Sequence, residues 1–204
     1  VGRYHPLTLG SLGLDFVVWG EDATGFHLTN LILHLFNVLL VFWLLKRWTT
    51  SLGLAFLGAL LFGIHPMHME SDVWISARKD LLSGLLILVR LRYYTQYLHF
   101  KRNDWLWVAT FFLLGALLAK PIAVVVPILW LLLDLLHRRE WSLRMLLEKV
   151  PAFQLASIFL YVARSGQADS DSLAQAGSFS LVEGLTMGLT DLIHYFVSAF
   201  VHWN

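Results

Sequence analysis

The sequence predicts an all-α fold: a polytopic bundle of about six or seven membrane helices with juxtamembrane segments on its outer face. Three observations carry this. Of 204 residues, 57% are hydrophobic and 14% charged, where a soluble domain has about 25% charge. Mean hydropathy is +0.64. The apolar residues gather into segments joined by short, basic connections. A soluble globule and a disordered chain are excluded on the same grounds. Fifteen basic and 14 acidic residues leave a net charge of +1, so no global field draws in polyanions and no nucleic-acid partner is expected. The absence of cysteine removes disulfides, zinc–thiolate sites and thiol nucleophiles.

The apolar segments run Phe26–Leu45, Leu52–Ile64, Leu81–Tyr97 (entered as early as Val73), Trp105–Ala119, Pro121–Leu136 and Val150–Val162. A seventh, Leu181–Trp203, is mixed, with Glu183, Asp191 and His194 inside it. Several are shorter than the roughly 20 residues that cross a hydrocarbon core, which fits a crowded bundle with thin or water-filled regions. Residues 1–25 read as the remainder of an outer loop, 26–162 as a six-helix membrane core, 163–180 as an outer loop and 181–204 as the start of a further helix. The chain opens on Val1 and closes on Trp203-Asn204 at an apolar segment, so a piece of a longer protein is expected.

Basic residues set the orientation. Lys46, Arg47, Arg90, Arg92, Lys101, Arg102, Arg138, Arg139, Arg144 and Lys149 fall toward one side; Arg3, Arg78, Lys79, Lys120 and Arg164 fall toward the other. The richer side is expected to be cytoplasmic, the other periplasmic or lumenal. Trp43, Trp48, Trp105, Trp107 and Trp141 lie near the richer side, as an interfacial belt would.

The outer ends carry the chemistry. His27, Asn30, His34 and Asn37 recur at i, i+3, i+7 and i+10, one narrow helix face. Such a stripe either binds neighbouring helices together or meets a ligand. Next comes His65-Pro66-Met67-His68-Met69-Glu70, where Pro66 ends a helix. His65, His68 and Glu70 are of types that hold zinc or manganese, but their spacing is not that of a helix-borne metal motif. The favoured reading is a turn shaping a substrate cavity, with no metal and no other cofactor. In Ile75-Ser76-Ala77-Arg78-Lys79-Asp80 two cations and a carboxylate enter an apolar helix. Arg78 can grip a phosphate bidentately, and Asp80 can neutralise a neighbouring cation. Lys120, at the Lys120-Pro121 turn, either snorkels or meets a lipid phosphate. Asp134 is expected to act as a structural cap or to pair with Arg138 at i, i+4.

Taken together, Phe26-His27-Leu28-Thr29-Asn30-Leu31, His65 to Glu70, Ile75 to Leu81 and Ala119-Lys120-Pro121 resemble the transmembrane part of the GT-C glycosyltransferases. Within these the pattern is most similar to the transmembrane and tetratricopeptide-repeat-containing O-mannosyltransferases and their bacterial relatives. The resemblance spans nearly the whole chain and is strongest from Tyr4 to Leu136. It implies transfer of a sugar from a polyprenyl-phosphate carrier to a protein or glycan acceptor at the periplasmic or lumenal face of a bacterial inner membrane or endoplasmic reticulum. It implies Arg78 and Lys120 as lipid-phosphate contacts and His27, Asn30, His65, His68, Glu70 and Asp80 as cavity lining. The family's catalytic carboxylate stands in an acidic motif of the first outer loop, expected upstream of Val1; Asp15 and Glu21-Asp22 do not match it. His5 departs from the family, which has Arg in a Tyr-Arg-Pro-Leu context. The tetratricopeptide domain lies outside this stretch. Two other functions stay open, a transporter and a non-catalytic membrane scaffold.

Overall fold

The computed structural model describes residues 5–65 and 77–168, with side chains to 162. Backbone contacts divide the chain into residues 4–162 and a second unit of residues 1–3 and 163–204; every side chain below belongs to the first. Among the described residues the structure is entirely helical: α1 (Pro6–Trp19), α2 (Ala23–Thr49), α3 (Leu52–Ile64), α4 (Arg78–Phe100), α5 (Asn103–Ala119), a 3-10 turn (Pro121–Val125), α6 (Val126–Leu136), α7 (Leu143–Leu147) and α8 (Val150–Ala168).

Local chemistry sets the breaks. Asp22 caps α2, its carboxylate accepting from the Thr24 N–H at 2.9 Å, and the Ser142 hydroxyl caps α7 at the Met145 N–H, 3.2 Å; each satisfies a donor that the helix leaves open. Lys101 takes a left-handed φ of 56° and turns α4 back into α5, a common helix stop. Pro121 has no N–H to continue α5, so the chain turns at Lys120. The α3 boundaries coincide with the apolar run read from sequence. The segment Pro121–Leu136 divides into the 3-10 turn and α6, and residues 6–19, read as loop, form a helix.

The polarity of the helices is inverted. In α1 the buried side chains are Thr8 and Asp15, seven residues and so two turns apart on one face, while Val17 is 81% exposed. In α2, Asn30, His34 and Asn37 are buried and Leu28, Leu31, Leu35 and Leu39 lie outside. Polar groups inside and leucines outside suit a hydrocarbon surround. Among the described residues two helical stretches, Ala23–Thr49 and Leu143–Val162, are long and apolar enough to cross a membrane.

Small residues bring the helices close, as packing in lipid favours. Ala55 and Ala59 of α3 are buried. A Cβ added at Gly58 would stand 2.6 Å from Leu45 Cδ1 of α2, and one at Gly63 would stand 3.1 Å from Val38 Cγ2. A hydrophobic core runs between α4, α5 and α6, around Tyr94, Leu113, Leu117 and Trp130. Trp130 stacks on Tyr94 with centroids 4.6 Å apart, and the Arg90 guanidinium lies 3.8 Å from the Trp130 centroid.

Below that core a buried polar group ties α4 and α6 to the entry of α8. Asp134 accepts from the Tyr94 hydroxyl at 2.7 Å and pairs with Lys149, and Arg139 stands 3.7 Å from it. The expected Asp134–Arg138 pair does not form. Arg138 has a left-handed φ of 49°, so it has left the helix and the i, i+4 geometry is lost.

Candidate functional site

At the opposite end, α1, α2, α4 and α5 converge. Arg78 opens α4 and is 1% exposed. Its Nη2 donates to Asp15 Oδ2 of α1 at 2.5 Å and to the Phe26 carbonyl at 3.2 Å. Its Nε donates to Asn30 Oδ1 of α2 at 2.5 Å. Asp15 Oδ1 in turn accepts from the Thr29 hydroxyl at 3.1 Å. One guanidinium therefore pins three helices, and a charge buried at this depth needs such partners.

The polar stripe of α2 continues the seam. His34 Nε2 lies 3.1 Å from the Gly63 carbonyl of α3; a carbonyl only accepts, so the proton sits on Nε2. Asn37 Nδ2 donates to the Leu81 carbonyl at 3.0 Å. His27, at the top of the stripe, is exposed. It lines a groove of about 820 Å³ between α2 and α3, otherwise walled by residues such as Leu28, Leu31 and Leu60.

Lys120 and Asp80 form the second element. Lys120 closes α5, and its ammonium pairs with the Asp80 carboxylate in the first turn of α4. Their side chains are 30% and 36% exposed, so among the described residues this ion pair is more accessible than Arg78–Asp15. Nearby, the Thr8 hydroxyl donates to the Ala119 carbonyl at 3.0 Å, seating α1 beside the turn.

The sequence-predicted residues are thus distributed in three ways. Arg78 and Asn30 meet directly. Lys120 and Asp80 meet each other, so Asp80 does not neutralise Arg78, and Lys120 has an acid within reach. His27 is exposed and lines the α2–α3 groove, and His65 is half-buried at the end of α3. His68 and Glu70 lie outside the described residues. Asp15 is the residue that sequence reasoning passed over. It was compared with a catalytic motif it does not match; its two-turn spacing from Thr8 on an apolar segment was the available signal.

No family model matches the chain, and no solved structure matches it. Curated relatives do. Mouse protein O-mannosyl-transferase TMTC1 is 39% identical over 87 residues, 42% of this chain and 9% of the relative. The fruit fly Drosophila melanogaster protein O-mannosyl-transferase Tmtc1 is 33% identical over 138 residues, 66% of this chain and 16% of the relative. Human protein O-mannosyl-transferase TMTC1 is 36% identical over 94 residues, 46% and 11%. The chain therefore spans between about a tenth and a sixth of the length of these relatives. Over these stretches the chain is therefore similar to the TMTC protein O-mannosyl-transferases, the group that its motifs resemble.

Proposed function

We propose that the chain is part of an integral-membrane, multi-pass glycosyltransferase of the GT-C type, and that its Arg78 end holds the donor's phosphate. In this reading a sugar, mannose by the relatives' names, leaves a polyprenyl-phosphate carrier for an acceptor hydroxyl on a protein at the periplasmic or lumenal face. The acceptor oxygen bonds to the anomeric carbon as the carbon–oxygen bond to phosphate breaks. The carrier phosphate departs with the electron pair, and a carboxylate outside this stretch takes the acceptor proton.

Within the chain the roles divide by exposure. Lys120, half-exposed and held by Asp80, meets the leaving phosphate, where a fixed cation stabilises the developing charge. Arg78 is already engaged by Asp15, Asn30 and the Phe26 carbonyl; it positions α1 against this site, and Asp15, tied up in that pair, is no base. The groove beside His27 offers leucine walls to an isoprenoid chain.

The observation that carries the proposal is the accessible Lys120–Asp80 pair among helices whose exteriors are apolar. Transfer of labelled mannose from a polyprenyl-phosphate donor to acceptor peptide, by full-length protein in proteoliposomes, tests it. Lys120→Gln should lower the rate by about tenfold or more, with Lys120→Arg retaining part of it, at unchanged thermal stability. Undiminished transfer by Lys120→Gln would remove Lys120 from the site. Absence of transfer by the unaltered protein would favour the scaffold.

A further inference from the structure

The end of the bundle where α2 and α4 finish gathers many cations. On the side of α5, α6 and α8 four have an acid beside them, Arg102 with Asp104, Arg139 and Arg144 with Glu148 and Lys149 with Asp134, while the exposed Lys101 and Arg138 have none among the described residues. Along the α2–α4 seam, Lys46, Arg47 and Arg92 are exposed, and none pairs with a carboxylate among the described residues. Between these helices runs a groove of about 490 Å³ lined by Trp43, Lys46, Arg47, Gln96, His99 and Phe100. No acid enters it. The Arg92 guanidinium stands 4.5 Å from the Trp43 ring centroid, so a cation is braced on the aromatic wall of the same groove.

Cations near the last turn of a helix are partly compensated by its dipole, and three scattered ones would need no further account. These are not scattered. Lys46 and Arg47 line one concave surface, its aromatic wall Trp43 carries Arg92, and the apolar flank continues from it. Phe36 and Leu39 precede Trp43 and Lys46 at i, i+3, i+7 and i+10, one face of α2, and are 53% and 60% exposed. A stripe that passes from phenylalanine and leucine through tryptophan to unpaired lysine and arginine matches an amphiphile lying along it, chains beside the leucine and anion at the cations.

We propose that this groove holds the headgroup of an anionic glycerophospholipid from the adjoining leaflet, its phosphate facing Lys46, Arg47 and Arg92 and its acyl chains following Trp43, Leu39 and Phe36. The site is separate from that of sugar transfer: from Arg78 to Phe100 along α4 is about 33 Å at 1.5 Å per residue.

Full-length protein in phosphatidylcholine vesicles, with trace spin-labelled phosphatidylserine or spin-labelled phosphatidylcholine, tests this directly. The motionally restricted fraction of each label gives their relative association. The unaltered protein should favour phosphatidylserine, and Lys46→Gln, Arg47→Gln and Arg92→Gln should each lower that preference about fivefold. These side chains are exposed, so the variants fold. Arg144→Gln, at the same end but paired with Glu148, should leave it unchanged, as should inorganic phosphate added at constant ionic strength. No preference in the unaltered protein, or a preference surviving Lys46→Gln/Arg47→Gln, would overturn the proposal. So would an equal loss in Arg144→Gln, which would mean diffuse charge, or displacement by inorganic phosphate, which would mean a site for free anions.

Discussion

Arg78 and Asp15 stand 63 positions apart in the sequence and 2.5 Å apart in space. The pair is nearly shielded from solvent, with side-chain exposures of 1% and 10%, and it joins the first helix to the fourth. Removing one partner of a buried pair leaves an uncompensated charge, which costs about 3–5 kcal/mol. Arg78→Met and Asp15→Leu should each lower the stability of the detergent-solubilised full-length protein by that order. The double variant Arg78→Met/Asp15→Leu should recover most of the loss. Thermal unfolding of all three closes the cycle, and additive losses would contradict the pairing.

The half-exposed Lys120–Asp80 pair should behave differently. Ion pairs open to solvent are worth about 0–1 kcal/mol, so Asp80→Asn should shift stability within that range while altering transfer. A large loss of stability with normal transfer per folded molecule would make the pair purely structural.

Trp130 is fully buried, stacked on Tyr94 and covered by Arg90. Trp130→Ala should cost about 3–5 kcal/mol through the cavity it leaves. Trp130→Phe keeps a ring face for the guanidinium and should cost clearly less. Equal destabilisation by the two would show that the ring face contributes nothing.

Asp22 supplies the pH dependence. Hydrogen bonds from the Thr24 backbone N–H, and secondarily from its hydroxyl, hold the Asp22 carboxyl below the ordinary carboxylate value of 3.8. A group whose folded value is lowered stabilises above its unfolded value and loses that contribution as pH falls through the folded one. The first turn of α2 should therefore loosen as pH drops below about 4. Asn caps as well as Asp without titrating, so Asp22→Asn should lack this acid-dependent step in hydrogen exchange of Thr24 and Gly25. Identical pH profiles for the two proteins would refute the cap's role.

Topology is open to labelling because this stretch has no cysteine. In an otherwise cysteine-free full-length protein, single cysteines at positions 47, 102 and 139 should react with an impermeant maleimide from the cytoplasmic side. One at position 120 should react from the other side. A mixed result within the first three would break the alternation of the helices.

Much of the helical order was legible because the apolar runs end at chemically abrupt places. Leu52–Ile64 is bounded by Ser51 and His65, and Ala119 by Lys120-Pro121. The α2 stripe was legible too, since a period near 3.6 places Asn30, His34 and Asn37 on one face, which is the face found buried. What sequence could not supply was partner choice. Arg78 had Asp80 two residues away, yet adjacent helix positions point in different directions, and Asp15 reached it from a distant element. Asp134 likewise had Arg138 at the favourable spacing, but the helix ended first and Lys149 took the place. α1 was missed because its polar residues, Thr8 and Asp15, face inward, so its outward face reads as a run of leucine, glycine and valine with no amphipathic signature.

That inward face has a consequence for biogenesis. The Thr8 hydroxyl closes on the Ala119 carbonyl 111 residues later, and Asp15 waits for Arg78. At a synthesis rate of about 5–20 residues per second, α1 exists for roughly ten seconds before its last polar partner has been made. For the first part of that interval, until Arg78 follows 63 residues after Asp15, a helix carrying an aspartate without its guanidinium must be kept out of bulk lipid. Assembly of this portion therefore depends on the insertion machinery, or water at the membrane surface, sheltering α1 until the turn at Lys120 arrives to receive it.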